Sequence, residues 1–160
     1  MRDIKFRAWD YESREMTDFE SGPFYITDIP VAWDEFYFMQ YTGLKDATEW
    51  GQLTEEERNQ WLKDGNKQED WKGRDIFEGD ILKRVVTVVV YGSGKPAEDV
   101  VEYLKVEYRE DYAGFFVGER PLFAYVDNTH DVDTGCRCTK PVVVGNIFEN
   151  PEFLKGGDAK

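Results

Sequence analysis

Ile4, Phe6 and Ala8 alternate with Lys5, Arg7 and Trp9, the period-two pattern of a half-buried strand, and Asp10 to Ser13 supply turn residues before Met16. An opening hairpin is predicted. From Glu20 to Asp34 the prolines and Gly22 interrupt the pattern, leaving an irregular connection with a short strand near Phe24 to Thr27. Phe36, Tyr37, Phe38, Met39 and Tyr41 then crowd apolar groups onto both faces of a strand that Thr42-Gly43 is expected to end. Both faces want cover, from core layers, from an assembly surface, or from both.

The longest apolar run lies at Ile81 to Val90, fed by Asp75-Ile76-Phe77 through the acidic turn Glu78-Gly79-Asp80. Gly79 tolerates the positive φ that a tight turn often needs, so the stretch reads as strand, turn, strand. Gly92-Ser93-Gly94-Lys95-Pro96 is a turn, and Leu104 to Tyr108 with Gly114 to Val117 forms a second hairpin around Arg109 to Asp111. Leu122 to Val126 reads as an edge strand, Asp127 to Lys140 as a polar loop, and Val142 to Val144 as renewed strand. Asn150 and Pro151 begin a short helix ending near Leu154, and residues 156–160 form a disordered tail.

Residues 47–72 differ in composition, with Trp50, Trp61 and Trp71 spaced through a charged segment that reads as a helical insertion. Thr54 followed by Glu57 matches a capping box, Glu55 and Glu56 favour the helix dipole, and Gly65 suits the C-terminal end. One helix over 54–64 is predicted, a surface flap with a thin apolar face. The whole gives one domain over 1–155. Its class is mainly β: a small, strongly bent β-barrel with hairpin extensions and one or two short helices. The Phe-Glu-Gly-Asp-Ile turn entering a long strand resembles part of a Src-homology-3-like barrel.

Charge changes the picture of partners. Asp and Glu number 33 against 20 Lys and Arg, a formal charge of −13, which disfavours nucleic acid and suits a partner with a basic surface, while also serving solubility. The N-terminus lacks an apolar signal core and no run approaches a membrane span, so a cytoplasmic, non-membrane protein is expected. Cys136 and Cys138 are too few for a disulfide framework and are expected to be reduced.

Candidate chemistry is sparse. Gly92-Ser93-Gly94-Lys95 lacks a phosphate loop's first glycine, where Val89 stands, and its Ser or Thr, where Pro96 stands. His130, Cys136 and Cys138 share a loop with Asp127, Asp131 and Asp133, but neither zinc nor calcium spacing is met. Glu78 and Asp80 flank Gly79 as a conceivable carboxylate pair, which turn polarity explains as well. Arg2, Lys5 and Arg7 with Trp9, or Lys83 and Arg84, offer a local basic surface that salt bridges explain equally. No catalytic, cofactor-binding or metal residues are therefore assigned. The candidate interaction surface is Trp50, Trp61, Trp71, Tyr37 and Tyr41, because large aromatics anchor interfaces.

Three separated stretches together resemble the YopX family of phage and prophage proteins: IKFRAWD at Ile4 to Asp10; QYTGLKD at Gln40 to Asp46, continued by GRDIFEGDI at Gly73 to Ile81; and GNIFENPEFL at Gly145 to Leu154. The insertion and the region 119–140 depart from that signature. The resemblance implies a β-rich, barrel-containing fold, self-association and a phage or prophage setting in a bacterial host; it implies no catalytic residue. The expected function is that of a non-enzymatic accessory protein acting through self-association and contact with a host or phage protein. The alternatives are a nucleic-acid-binding barrel and, below it, a small hydrolase.

Overall fold

The computed structural model describes residues 5–19 and 35–155. The expected strand near Phe24 to Thr27 and the tail at 156–160 lie outside them. Strand β1 (Phe6–Asp10) pairs antiparallel with β2 (Glu15–Phe19) on one side and β3 (Phe36–Lys45) on the other, and β3 pairs with β4 (Asp75–Phe77). A second sheet holds β5 (Asp80–Val88), β6 (Glu98–Arg109), β7 (Gly114–Val117), β8 (Arg120–Pro121) and β9 (Val142–Asn146) in the order β8-β7-β6-β5-β9. Together they make a mainly β, strongly curled half-barrel.

The corner between the sheets is Glu78-Gly79. Gly79 sits at φ +86°, donates its N–H to Val106 O at 2.9 Å and accepts from Ile147 N at 2.9 Å, while Glu78 N donates to Gln40 O at 2.9 Å. The acidic turn therefore moves the chain from one sheet to the other, and β4 and β5 do not pair with each other. Asp80, barely exposed at 2%, helps set this corner by accepting from Phe77 N at 2.8 Å. Beneath it Ile76, Leu82, Val106, Val117, Leu122, Tyr125 and Val126 form the core, contributed by both sheets.

Three boundaries differ from expectation. β3 does not stop at Thr42-Gly43: Gly43, at φ +84°, is absorbed as an irregularity between Tyr41 and Lys45, and Thr42 Oγ1 donates to Ile76 O at 2.6 Å. β5 ends at Val88, because beyond the Val88–Glu98 pair the chain leaves the ladder. Leu122 to Val126 is not an edge strand but a short helix, α2 (Leu122–Val126), with Leu122, Tyr125 and Val126 buried at helical spacing and Phe123 turned out to solvent. Five apolar residues are too few for either period to declare itself.

The other helices fall where the caps put them. α1 (Glu55–Lys63) starts at Thr54, whose hydroxyl oxygen accepts from Glu57 N at 3.2 Å, and is followed by Gly65 at φ +91°. α3 (Glu152–Lys155) follows Asn150 and Pro151.

Candidate functional site

The chain from Asp46 to Arg74 leaves the sheet and returns to the same point. Asp46 N donates to Arg74 O at 2.9 Å. The Asp46 carboxylate, on a residue 5% exposed, accepts four hydrogen bonds: from Thr48 N at 3.0 Å and Arg74 N at 2.7 Å on Oδ1, and from Thr48 Oγ1 at 2.7 Å and Val143 N at 2.8 Å on Oδ2. One acidic side chain thus ties together both ends of the segment and β9. Beside it Arg74 grips Glu57 of α1 with Nε and Nη2, both at 3.0 Å, and donates from Nη1 to Val143 O at 3.2 Å. The carboxylate of the expected capping box is in this way turned toward the body of the protein.

Single 3₁₀ turns flank α1 at Trp50–Gln52 and Gln68–Asp70, and they bring the three tryptophans together. Trp71 is the centre: its ring meets Trp61 edge to face at 5.1 Å and Trp50 at 6.2 Å and 67°. Its indole N–H donates to Thr48 O at 2.8 Å, and that of Trp61 to Lys67 O at 2.8 Å. All three rings are half-buried, so much of their surface is spent on packing the segment. Between the two 3₁₀ turns a cleft of about 510 Å³ remains, lined among others by Thr48, Glu49, Trp50, Glu69, Trp71 and Lys72.

The two tyrosines grouped with these tryptophans lie elsewhere. Tyr41 is 5% exposed, packed on Phe77 with Lys5 and Lys45 over its ring, and belongs to the interior. Tyr37 is 37% exposed, leans on Phe148, and donates its O–H to Glu78 at 3.2 Å; burial and the Glu78 charge push its phenol above the usual range. It stands on a second, smaller cleft of about 350 Å³ at the sheet corner, with Lys105, Glu107 and Tyr108.

Glu78 and Asp80 do not form a carboxylate pair. Asp80 points inward to Arg7 Nη2 at 2.7 Å, and Arg7 also donates to Glu78 O at 3.2 Å. Burial pushes the Asp80 carboxyl up to about 6, against the pull of Arg7 and the Phe77 N–H. Of the basic candidates, Arg2 lies outside the described residues, while Lys5 pairs with Asp75 at 3.0 Å and Arg84, 3% exposed, with Asp131 at 2.9 Å.

In the 127–140 loop Asp131 gathers Arg84, Arg120 and Thr134, Arg84 stacks on Tyr125 at 4.3 Å, and Cys138 is buried against them. Burial works to raise the Asp131 carboxyl, but hydrogen bonds from Arg84 and Thr134 hold it below the usual carboxylate range. His130 is exposed, with Nδ1 3.4 Å from Thr129 Oγ1, and both cysteines are free. Among the described residues no group of three or more His, Cys, Asp or Glu is arranged to hold a metal ion. Gly92 to Lys95 is the exposed turn between β5 and β6.

A family model described as YopX protein matches residues 51–155, well over half of the chain. The chain belongs to the YopX family. The match takes in GRDIFEGDI and GNIFENPEFL, whereas the first YopX-like stretches, at 4–10 and 40–46, precede it. YopX is a family of unknown function. Among solved structures, that of protein EF1440 from Enterococcus faecalis is similar, at 22% identity over 96% of this chain and 99% of that one, with a TM-score of 0.45. No curated protein matches. No helix among the described residues is long and apolar enough to cross a membrane.

Sequence reasoning missed Asp46 and Arg74, and it weighed Arg84 only as part of a basic surface and Asp131 only as a loop carboxylate, not as partners of each other. Asp46 and Arg74 did carry a signal, since they bracket the insertion inside the two halves of the YopX-like middle stretch.

Proposed function

We propose that this YopX protein is a non-enzymatic accessory protein of phage or prophage origin, working in the bacterial cytoplasm through self-association and contact with a host or phage protein. The observation that supports this reading is the far end of the β5–β6 hairpin. Val89, Val90 and Tyr91 are 42%, 61% and 91% exposed, and Val100 and Val101 on the returning strand 45% and 47%. Apolar side chains left in water at one end of a hairpin gain from a partner surface that a monomer does not supply.

Light scattering of the full chain at working concentration tests the reading. The wild type is expected to be an oligomer, and the Val90→Lys, Tyr91→Lys double variant to shift toward monomer with an unchanged circular dichroism spectrum. A strictly monomeric wild type ends the self-association limb.

A further inference from the structure

Tyr41, Phe77, Tyr112, Phe116 and Tyr125 each already carry a lysine or arginine of this chain over the ring. The Trp50–Trp71 corner carries none among the described residues, although indole is the ring that attracts cations best. Its two rings cross at 67° with centroids 6.2 Å apart, giving two walls of an open angle on the cleft of about 510 Å³. Besides Asp46, two carboxylates stand on the same cleft. Glu49 opens the 3₁₀ turn at Trp50–Gln52, its N–H donating to Gln52 Oε1 at 2.8 Å, and Glu69 is exposed and makes no hydrogen bond or ion pair among the described residues. Lys72, the single cation of the lining, is outnumbered by them.

We propose that this cleft binds an arginine side chain of a basic partner polypeptide, its guanidinium stacked in the Trp50–Trp71 corner and paired with Glu69. A planar guanidinium can lie on an indole face while its N–H fork reaches a carboxylate, a combination the compact lysine ammonium does not match. The charge of −13 draws a basic partner toward the mouth. Asp46, at the floor, is saturated by its four donors and serves to hold the walls, not the ligand. The inference rests on the reading of the chain as a protein-contact module, but on residues remote in sequence from the hairpin arm.

The test is a titration of the full chain, with the tryptophan indole ¹⁵N–¹H signals as readout, using a short Gly-Ser peptide carrying one arginine. The same peptide with citrulline, a neutral isostere, or with lysine serves as comparison. The arginine peptide is expected to shift the Trp50 and Trp71 signals saturably, the citrulline peptide to leave them in place, and the lysine peptide to bind several-fold more weakly. Glu69→Gln should weaken arginine binding about threefold, in keeping with one solvent-exposed ion pair, and Lys72→Gln should strengthen it by a similar factor. Equal binding of the citrulline or lysine peptide, no saturable shift, or indifference to Glu69→Gln overturns the proposal. Light scattering of the same samples keeps the two readings apart. A monomer that takes up the arginine peptide sustains this site and ends self-association; an oligomer that ignores the peptide does the reverse.

Discussion

Replacing Asp46 by Asn keeps the shape of the side chain and removes half of its accepting capacity. The least costly arrangement leaves the amide oxygen at the Oδ1 position, where Thr48 N and Arg74 N stay satisfied at 3.0 and 2.7 Å. The new NH₂ then faces the Thr48 hydroxyl, which can rotate to accept, and Val143 N–H, which cannot. One buried backbone donor is orphaned at about 1–3 kcal/mol, and the surviving bonds lose the strengthening that a charged acceptor gives them. Relief from burying a carboxylate offsets part of this, so a loss of about 2–4 kcal/mol is expected. Urea unfolding followed by circular dichroism measures it directly, and the melting temperature should fall by roughly 2–4 °C for each kcal/mol in a chain of this size. Because Trp71 donates to Thr48 O, indole fluorescence should also report loosening of the 46–74 segment before global unfolding. An Asp46→Asn protein within about 1 kcal/mol of wild type would refute the account of Asp46 as the tie between segment and sheet.

Gly79→Ala places a Cβ 2.8 Å from Met39 Sδ at a backbone φ of +86°, so roughly 2–4 kcal/mol should be lost in the same urea assay; a cost under about 1 kcal/mol would mean the corner can relax. The raised Asp80 value makes a signed pH prediction. Folded protein takes up this proton near pH 6 and unfolded chain near 3.8, so the group's contribution to stability rises as pH falls between them, by up to about 3 kcal/mol. The stability difference between wild type and Asp80→Asn should therefore move in favour of wild type from pH 7 to pH 4, and a flat difference would contradict it. Asp75 behaves oppositely: burial opposes ionisation, but Lys45 and Lys5 hold its carboxyl below the usual range, so its contribution is present above about pH 4 and lost in stronger acid. Asp75→Asn should accordingly remove stability at pH 7 and little at pH 2, as read from melting temperatures. Arg74→Lys breaks the two-pronged hold on Glu57 and should speed hydrogen exchange in α1 while leaving β5 and β6 protected; equal protection throughout would show that Arg74 is dispensable.

Much of the architecture was legible because the local signals agree with the global ones. The opening hairpin, the Thr54 cap and the Gly79 corner each depend on a few neighbouring residues, although β1 is buried on both faces, at Arg7 and Trp9 as well as Ala8, where the alternation pointed to one. What was not legible depends on contacts distant in sequence. Gly43 looked like an end because nothing local shows that Thr42 has Ile76 across from it, and Leu122 to Val126 is too short for its period to be read. The tryptophans of the insertion are gathered as a group, but only the structure shows that Trp71 sits between the other two, or that Tyr41 is interior while Tyr37 stays at the surface. The buried Arg7–Asp80 and Arg84–Asp131 pairs lie 73 and 47 residues apart, beyond the reach of any spacing rule.

Since Asp46 N and Arg74 O already touch, the polypeptide between them is a cassette whose two splice points coincide in space. Cutting out residues 47–73 and joining the ends with a four-residue turn would lower the loop-closure cost by roughly 2 kcal/mol while leaving every strand pairing in place. Kin of this fold can thus lengthen, shorten or exchange the cassette without re-registering the sheets, and a foreign recognition loop could be grafted at the same seam.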